Sequence, residues 1–497
     1  MFKKILIANR GEIALRIMRA CRELRISTVV VYSEADRHAL HVRMADEAIY
    51  IGAAAPAKSY LNADRIIRAA KESGAEAIHP GYGFLAENAS FARAAATAGL
   101  VFIGPPASAI QAMGDKAEAR RRMQAAGVPV VPGYQGPDDD PSLLKASASM
   151  EFPLLVKATA GGGGKGMRLV LSPVDLTESI ADARQESKNA FGDERLILEQ
   201  VIPDAHHVEF QVLADSHGHF VHLFERECSI QRRHQKIIEE TPSLLLTDEL
   251  RMEIGTTALK AARATGYQNA GTIEFIINPH TLAYYFLEMN TRLQVEHPIT
   301  ELVTGLDLVE WQIRIAAGEP FPYSQSSLSQ RGHAFECRLY AEDPAGGFLP
   351  SSGTLLRFIE PVGPGIRVDS GYTSGDQVTA FYDPLIAKLI TYAEDRPAAI
   401  RRMQTALRDT VLLGIPTNWQ FLQDVLAHPD FKTGVASTTW VDQTFANWQP
   451  PQCPLPPEVI LAAALTQGSQ AAHLTSDSTD PDPYSPWRTM DSFRLGE

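Results

Sequence analysis

With 497 residues, 45% of them hydrophobic and 21% charged, the chain is too long for one hydrophobic core and has the composition of two or three ordinary globular domains. A formal charge of −13, from 46 basic and 59 acidic residues, excludes a general nucleic-acid or anionic-membrane surface, so any anion must be bound locally. Cys21, Cys228, Cys337 and Cys453 form no Cys-x-x-Cys pair, and no apolar run approaches the roughly 20 residues that span a bilayer, so zinc, disulfide and membrane designs drop out and a cytoplasmic protein is expected.

The first elements alternate as strand 3–8, amphipathic helix 11–24, strand 28–33, helix 60–73 and strand 76–79. This βαβαβ order predicts a parallel, Rossmann-like sheet in a domain spanning 1–114. The first turn, Ala8-Asn-Arg-Gly-Glu12, lacks Gly-x-Gly-x-x-Gly, so a dinucleotide site is not supported. The cluster His79-Pro-Gly-Tyr-Gly-Phe84 follows the third strand, where ligand crevices of such sheets open; a structural turn accounts for it equally well.

Gly104-Pro-Pro106 marks a boundary, and a second domain begins near 115. Strand 153–158 leads into Ala160-Gly-Gly-Gly-Gly-Lys-Gly166, and 167–171 continues as another strand. A Walker loop opens a helix and needs Ser or Thr after its lysine, whereas Lys165 is followed by Gly166. The arrangement fits a glycine hairpin that closes over phosphates with its backbone amides, Lys157 and Lys165 serving as counter-charges; a flexible linker is the other reading. Strands follow at 196–202 and 207–213, the second carrying His207, Glu209 and Gln211 on one face. The cation-rich run from Glu225 to Ile237 reads alone as a solvated face, and between strands of a nucleotide domain as an anion site.

Residues 271–277 and 283–287 read as a hairpin around Asn278-Pro279-His280. Folding about Thr281 sets Glu274 opposite Glu288, with Cβ atoms roughly 5 Å apart. Like charges so placed repel unless a divalent cation lies between them, and hard oxygen donors suit magnesium. Glu288, Asn290, Arg292, Gln294 and Glu296 then alternate with Met289, Thr291, Leu293 and Val295, so an extended chain would present them on one face. An exposed strand alternates in the same way, but solvation does not require metal-type acids beside an anion-type arginine. From 331, short strands and two helices (396–408, 417–427) predict a third α+β segment to about 447, and 448–497 reads as a Pro-rich linker with one short helical run.

Together these motifs resemble the ATP-grasp biotin carboxylases, which fix bicarbonate onto biotin in biotin-dependent acetyl-CoA or acyl-CoA carboxylases. The similarity runs from residue 2 to about 445 and rests on Ile7-Ala-Asn-Arg-Gly-Glu-Ile-Ala14, His79 to Leu85, Gly114-Asp-Lys116, the glycine hairpin, His207-Val-Glu209, Gln231-Arg-Arg-His-Gln-Lys236, Glu288 to His297 and Glu336-Cys-Arg338. It implies a mixed α/β and α+β architecture: the Rossmann-like N-terminal domain (1–114), an ATP-grasp domain (115–330, lid about 130–203) and a C-terminal biotin carboxylase domain (331–447). It also implies ATP held by Lys116, Lys157, Gly162, Gly163, Gly164, Lys165, Gly166, Glu199 and His207, and magnesium or manganese held by Glu274, Glu288 and Asn290. Bicarbonate falls to Lys236, Arg292, Gln294 and Val295, with Glu296 as its base. Arg338 stabilises the enolate-like oxygen of biotin, beside Tyr82, Gln231 and His234.

There are small departures: Ala160 stands where many relatives have glycine, and Gln200 where lysine is common. No Met-Lys-Met occurs, so the resemblance implies a biotin carboxyl carrier on a separate protein or following domain, together with a carboxyltransferase subunit. Arg19 and Glu23, an i,i+4 pair, match positions that help form the family's homodimer. The tail 482–496 is similar to the segment after the carboxylase domain in α subunits of methylcrotonoyl- or geranyl-CoA-type carboxylases. Two other readings stand: a ligase of carbamoyl phosphate synthetase type, which passes carboxyphosphate to ammonia, and a silent assembly subunit, against which intact Glu296, Arg292 and both metal-type acids speak.

Overall fold

The computed structural model describes residues 1–159, 167–451 and 457–474; the predicted glycine hairpin at 160–166 and the tail 482–496 lie outside the described residues. Strands β1 (Lys4–Ile7), β2 (Ser27–Ser33), β3 (Glu47–Gly52), β4 (Ala77–His79) and β5 (Val101–Phe102) form a parallel sheet in the order β3-β2-β1-β4-β5. Strands β1 and β2 are near-continuous apolar runs because the sheet is covered on both faces, leaving Ile5, Leu6, Ile7, Val29, Val30 and Val31 without exposure. Strand β3 escapes the sequence pattern because, at the sheet edge, it buries only its last two residues.

The strand order reverses between β1 and β4, and the turns after these strands meet there. Asn9 Nδ2 donates to the carbonyls of Pro80 and Tyr82, both at 2.7 Å. Gly81 has φ +63°, and a Cβ on it would lie 2.9 Å from Asn9 Nδ2, so this turn requires glycine. Tyr82 is thereby held at the crevice.

Strands β6 (Gly133–Tyr134), β7 (Leu154–Ala158), β8 (Met167–Val170) and β9 (Leu196–Gln200) make a four-stranded antiparallel sheet ordered β6-β9-β7-β8. With helices Asp140–Ser147 and Leu176–Phe191 it has a small core of its own, around Leu143, Val156, Leu176 and Leu198. Strands β7 and β8 supply the two-strand frame expected on either side of the glycine loop.

The largest sheet holds the charged site. Strands β10 (His206–Ala214), β11 (Phe220–Arg232), β12 (Gln235–Thr241), β13 (Asn269–Ile277), β14 (Tyr284–Asn290) and β15 (His333–Tyr340) join strands Leu385–Ala393 and Ile366–Ser370 in eight antiparallel strands. The order is β14-β13-β10-β11-β12-β15, then 385–393, then 366–370. Strand β12 pairs directly with β15, so the sheet runs across the boundary expected at 330/331 without a break. One face packs through Val208, Phe210, Ile273 and Phe275 on helix Asp248–Ala264. The opposite face, one residue out of phase along β10, carries His207, Glu209 and Gln211.

Helix Gly11–Glu23 is tied to its neighbouring helix by the buried pair Arg16–Glu301 (2.8 Å) and to this sheet by half-exposed Arg19, which reaches Asp369 (2.9 Å); Arg367 of the sheet also pairs with Glu301 (2.7 Å). Arg19 therefore pairs with Asp369 rather than with Glu23, because a carboxylate only 1% exposed must be compensated while exposed Glu23 is solvated. Burial pushes the Glu301 carboxyl up, but Arg16, His297 and Arg367 outweigh it and hold it at about 2. A depressed carboxylate stabilises the fold above its unfolded-state value and loses that stabilisation as pH falls through the folded value. Between its ordinary 4.5 and about 2, protonation of Glu301 is expected to remove about 3 kcal/mol, and Glu301→Gln should flatten that limb of urea midpoints read against pH.

The segment beyond Trp448 is a second unit, in which residues Pro457–Leu474 form a helix, longer than the short run expected. No helix among the described residues is long and apolar enough to cross a membrane.

Candidate active site

Two register slips put the acids and their cation on the same face of the large sheet. Near the hairpin turn Ile277 pairs with Tyr284 and Phe275 with Phe286, a register in which Glu274 would meet Leu287. The ladder slips there, and Glu274 pairs with Glu288 and Thr272 with Asn290. One extra residue moves every later side chain to the other face, so without the bulge Glu288 would point into the apolar layer with Phe286. A second slip, between the pairs Ile230–Ile238 and Gln231–Lys236, brings Lys236 among the acids.

Lys236 Nζ donates to Glu209 Oε2 (2.7 Å), Glu296 Oε1 (2.8 Å) and Glu274 Oε1 (3.0 Å). Burial works against its charge, but Cys228 and these three carboxylates raise its pKa well above the ordinary lysine value. Behind Glu209 lies Arg226, fully buried, with Nε at 2.5 Å and further bonds to Gln211, Thr272 and Thr300. His207, Glu209 and Glu274 bring ligand atoms within 4.8 Å of one another, as a cation site does, yet Lys236 already supplies the positive charge between Glu209 and Glu274.

Burial raises Glu274, but Lys236 and His207 hold it well below the usual carboxylate range; His207 Nε2 lies 2.9 Å from its Oε2. Glu288 is raised, by burial first and by the charge of Glu274 second, with Lys116 resisting. The opposed acids thus store a repulsion that a divalent cation relieves, and their hard oxygens fit magnesium. Asn290 directs Nδ2 to Glu274 Oε1 (2.7 Å) and Oδ1 to Arg292 Nη2 (3.1 Å), so turning the amide over would offer its oxygen to the same ion.

The polar run is not a strand past Asn290: β14 ends there, and a helix begins at His297 with Pro298 in its first turn. Arg292, Gln294 and Glu296 therefore sit on a loop, and alternation does not explain why they meet. The loop is tied down instead. Thr291 N and Arg292 Nε donate to Glu87, each at 3.0 Å, Arg292 Nη1 donates to Gln294 Oε1 (2.8 Å), and Lys388 Nζ donates to the Val295 carbonyl (2.8 Å). Glu87 gives no sequence signal, since an acid in a mixed loop looks solvated. Glu296 is fully buried between Lys236 and Arg338, whose Nη2 donates to Oε2 at 3.0 Å. Burial raises it, but Lys236, Arg338 and Arg226 hold it well below its ordinary value.

Toward the small sheet, Lys157 pairs with Glu199, which also accepts from Arg120 at 3.0 Å. Burial lowers Lys116; Glu288 opposes this and Lys157 adds to it, so the expected ATP residues and the acid pair lie within one another's field. The expected biotin contacts divide. The Tyr82 hydroxyl donates to Glu12, and the phenol feels the charge of Arg338, whereas His234 is lowered by burial and then by Lys157, with His207 also acting. His234 follows Arg233 in a hairpin turn where both residues have positive φ, 46° and 67°, a strained setting for side chains other than glycine or asparagine. Gln231 is buried opposite Lys236.

Three family models match the chain. Residues 1–110 match "Biotin carboxylase, N-terminal domain", 115–324 match "Carbamoyl-phosphate synthase L chain, ATP binding domain", and 336–443 match "Biotin carboxylase C-terminal domain". A protein named biotin carboxylase from Halalkalibacterium halodurans is 50% identical over 442 residues, 89% of this chain and 97% of that protein. The chain belongs to the biotin carboxylase family. This biotin carboxylase is also 47% identical over 494 residues, 99% of its length, to the mitochondrial methylcrotonoyl-CoA carboxylase subunit alpha of Dictyostelium discoideum, of which it covers 70%. It spans 60 to 70% of the length of the methylcrotonoyl-CoA carboxylase α subunits it matches. Its fold matches the biotin carboxylase domain dimer of Hydrogenobacter thermophilus 2-oxoglutarate carboxylase, solved with MgADP, ADP and bicarbonate, at a TM-score of 0.88 and 48% identity over 91% of this chain and 100% of that one. It is an ATP-dependent ATP-grasp enzyme of bicarbonate-dependent carboxylation, with a Rossmann-like N-terminal domain.

Proposed function

We propose that the chain carboxylates biotin presented on a biotin carboxyl carrier, in the first half-reaction of an acyl-CoA carboxylase. The observation that carries this is the clustering of Lys236, Arg338 and the carboxylate of Glu296, with Arg292 joined through Gln294, beside the opposed acids Glu274 and Glu288. A pocket that must hold a small anion and also remove its proton needs both signs of charge. Lys236, Arg292, Gln294 and the Val295 backbone hold bicarbonate, and Glu296 takes its hydroxyl proton. The oxyanion attacks the γ-phosphorus of ATP, the bond to ADP breaks, and carboxyphosphate results. Carboxyphosphate splits into CO2 and phosphate, the phosphate takes the ureido proton of biotin, and the ureido nitrogen bonds to CO2. Arg338 faces the enolate-like oxygen, with Tyr82, Gln231 and His234 on the carrier side.

Lys116, Lys157, the glycine loop, Glu199 and His207 orient ATP. Magnesium, held by Glu274, Glu288 and Asn290, neutralises phosphate charge when bound. The carbamoyl phosphate synthetase reading draws support from the description of the central family model, but the two flanking models favour biotin. Similarity to the α subunits runs through the segment after Trp448, which favours an acyl-CoA carboxylase of methylcrotonoyl type with a carboxyltransferase partner. A homodimer is expected, as in the dimeric domain from Hydrogenobacter.

ADP release measured with MgATP and bicarbonate is expected to rise with free biotin and to vanish without magnesium. Release raised by ammonia and indifferent to biotin would reassign the enzyme to the carbamoyl phosphate class.

A further inference from the structure

Beneath Arg338 lies a second pair of opposed acids to which the reaction above gives no role. Glu239 of β12 and Glu336 of β15 face each other in register, and neither is exposed. Arg338 donates through Nε to Glu239 Oε1 at 2.6 Å; its Nη2 lies 2.5 Å from the same oxygen and also donates to Glu296 Oε2 at 3.0 Å. Neither oxygen of Glu336 has a hydrogen-bond partner among the described residues, nor does Glu239 Oε2. Of the pair Glu274–Glu288, Glu288 is only partly buried and lies within the field of Lys116; Glu239 and Glu336 are wholly buried, with Arg338 and Lys388 already supplying positive charge. Two carboxylates without a cation between them settle their repulsion by sharing a proton, which also partners two of the three orphaned oxygens.

We propose that Glu239 and Glu336 hold one proton between them and act together as the positioning device for Arg338, fixing its Nε edge so that its Nη edge faces Glu296 and the substrate. This rests on the reading that Arg338 serves biotin. With the proton present, Arg338 meets one full negative charge from behind; without it, two charges draw the guanidinium away from the substrate. Burial pushes both acids up, Arg338 resisting at Glu239 and Lys388 at Glu336, so that Glu239 reaches about 7 and Glu336 lies well above the ordinary range. The charged and titratable groups that act on the pair are Lys236 on β12 and Arg338 and Cys337 on β15, Cys228 on β11, Lys388 on the strand Leu385–Ala393 and Glu296 on the loop.

The test compares ADP release by the full chain with and without free biotin. Glu336→Ala leaves one charge behind Arg338 but takes away the partner that fixes Glu239 through its Oε2, and is expected to lose about tenfold more of the biotin-dependent rate than of the biotin-independent rate. Glu336→Gln, whose amide donates where the protonated acid does, should recover kcat/KM for biotin to within about threefold of the parent and move its alkaline decline to higher pH. Glu336→Gln as impaired as Glu336→Ala, or an equal loss with and without biotin, would overturn the proposal. If Glu336→Ala fails to fold, Glu239→Gln replaces it, with the same biotin-specific loss expected and an unaltered biotin response counting against the pair. Failure of the underlying reading is distinguishable, because the unsubstituted enzyme would then ignore biotin.

Discussion

Glu296→Gln is expected to lower biotin-stimulated ADP release by a factor of about 100 to 10,000, the range for removing a general base. Glutamine keeps the shape and the hydrogen-bonding reach of the side chain but cannot accept the bicarbonate proton. The substitution also leaves Lys236 and Arg338 without the carboxylate they share. With one carboxylate fewer around Lys236 and Arg338, the site attracts an anion more strongly, so KM for bicarbonate should fall while kcat collapses. That split separates a base from a residue that only organises the pocket, whose loss would raise KM. Steady-state kinetics at varied bicarbonate reads both quantities; a Glu296→Gln enzyme with kcat within threefold of the parent would remove Glu296 from the proton transfer.

The second large effect concerns the paired acids, and its sign differs between them. Glu274 is anchored by Lys236 and His207, so Glu274→Gln takes the carboxylate from buried His207 and one of three from Lys236, and should cost about 3 kcal/mol of stability as well as activity. Glu288 is raised by burial and by Glu274, so Glu288→Gln relieves a repulsion. The metal-free melting temperature of Glu288→Gln is expected to rise by about 2–4 °C, while ADP release falls by about 100-fold and needs more magnesium. A protein stabilised and inactivated by one substitution identifies Glu288 as an acid kept for a ligand rather than for the fold. Thermal melts without metal and magnesium titrations of ADP release provide the check; a Glu288→Gln protein that is destabilised and still fully active would contradict a metal role.

Much of the site could be read from the sequence, although not always for the right reason. The opposition of Glu274 and Glu288 follows from counting outward from Thr281, and the structure pairs them, but only because the ladder slips at Leu287. A bulge is a choice of register made by side-chain burial on both faces at once, and no local pattern announces it. Arg292, Gln294 and Glu296 were legible as residue types, yet the strand expected to align them stops at Asn290. Their convergence depends on Glu87 and Lys388, from segments about 200 and 90 residues away in sequence, a tertiary fact that periodicity does not carry. The parallel N-terminal sheet was plain because its inner strands β1 and β2 carry near-continuous apolar runs. The edge strand β3 was not, because half-exposed strands look like loops. Continuity of the large sheet across 330/331 was hidden for a similar reason, since antiparallel partners can lie far apart along the chain.

The pocket is proposed to exist so that an oxygen of bicarbonate can attack ATP, and labelled oxygen follows that event directly. With 18O-bicarbonate, MgATP and biotin, the released phosphate should carry one labelled oxygen per turnover, because the bridging atom of carboxyphosphate stays with phosphorus when CO2 departs. Phosphate that draws its new oxygen from solvent water, with bicarbonate label absent, would mean that ATP is simply hydrolysed and that Lys236, Arg292 and Glu296 do not bring the anion to the γ-phosphate.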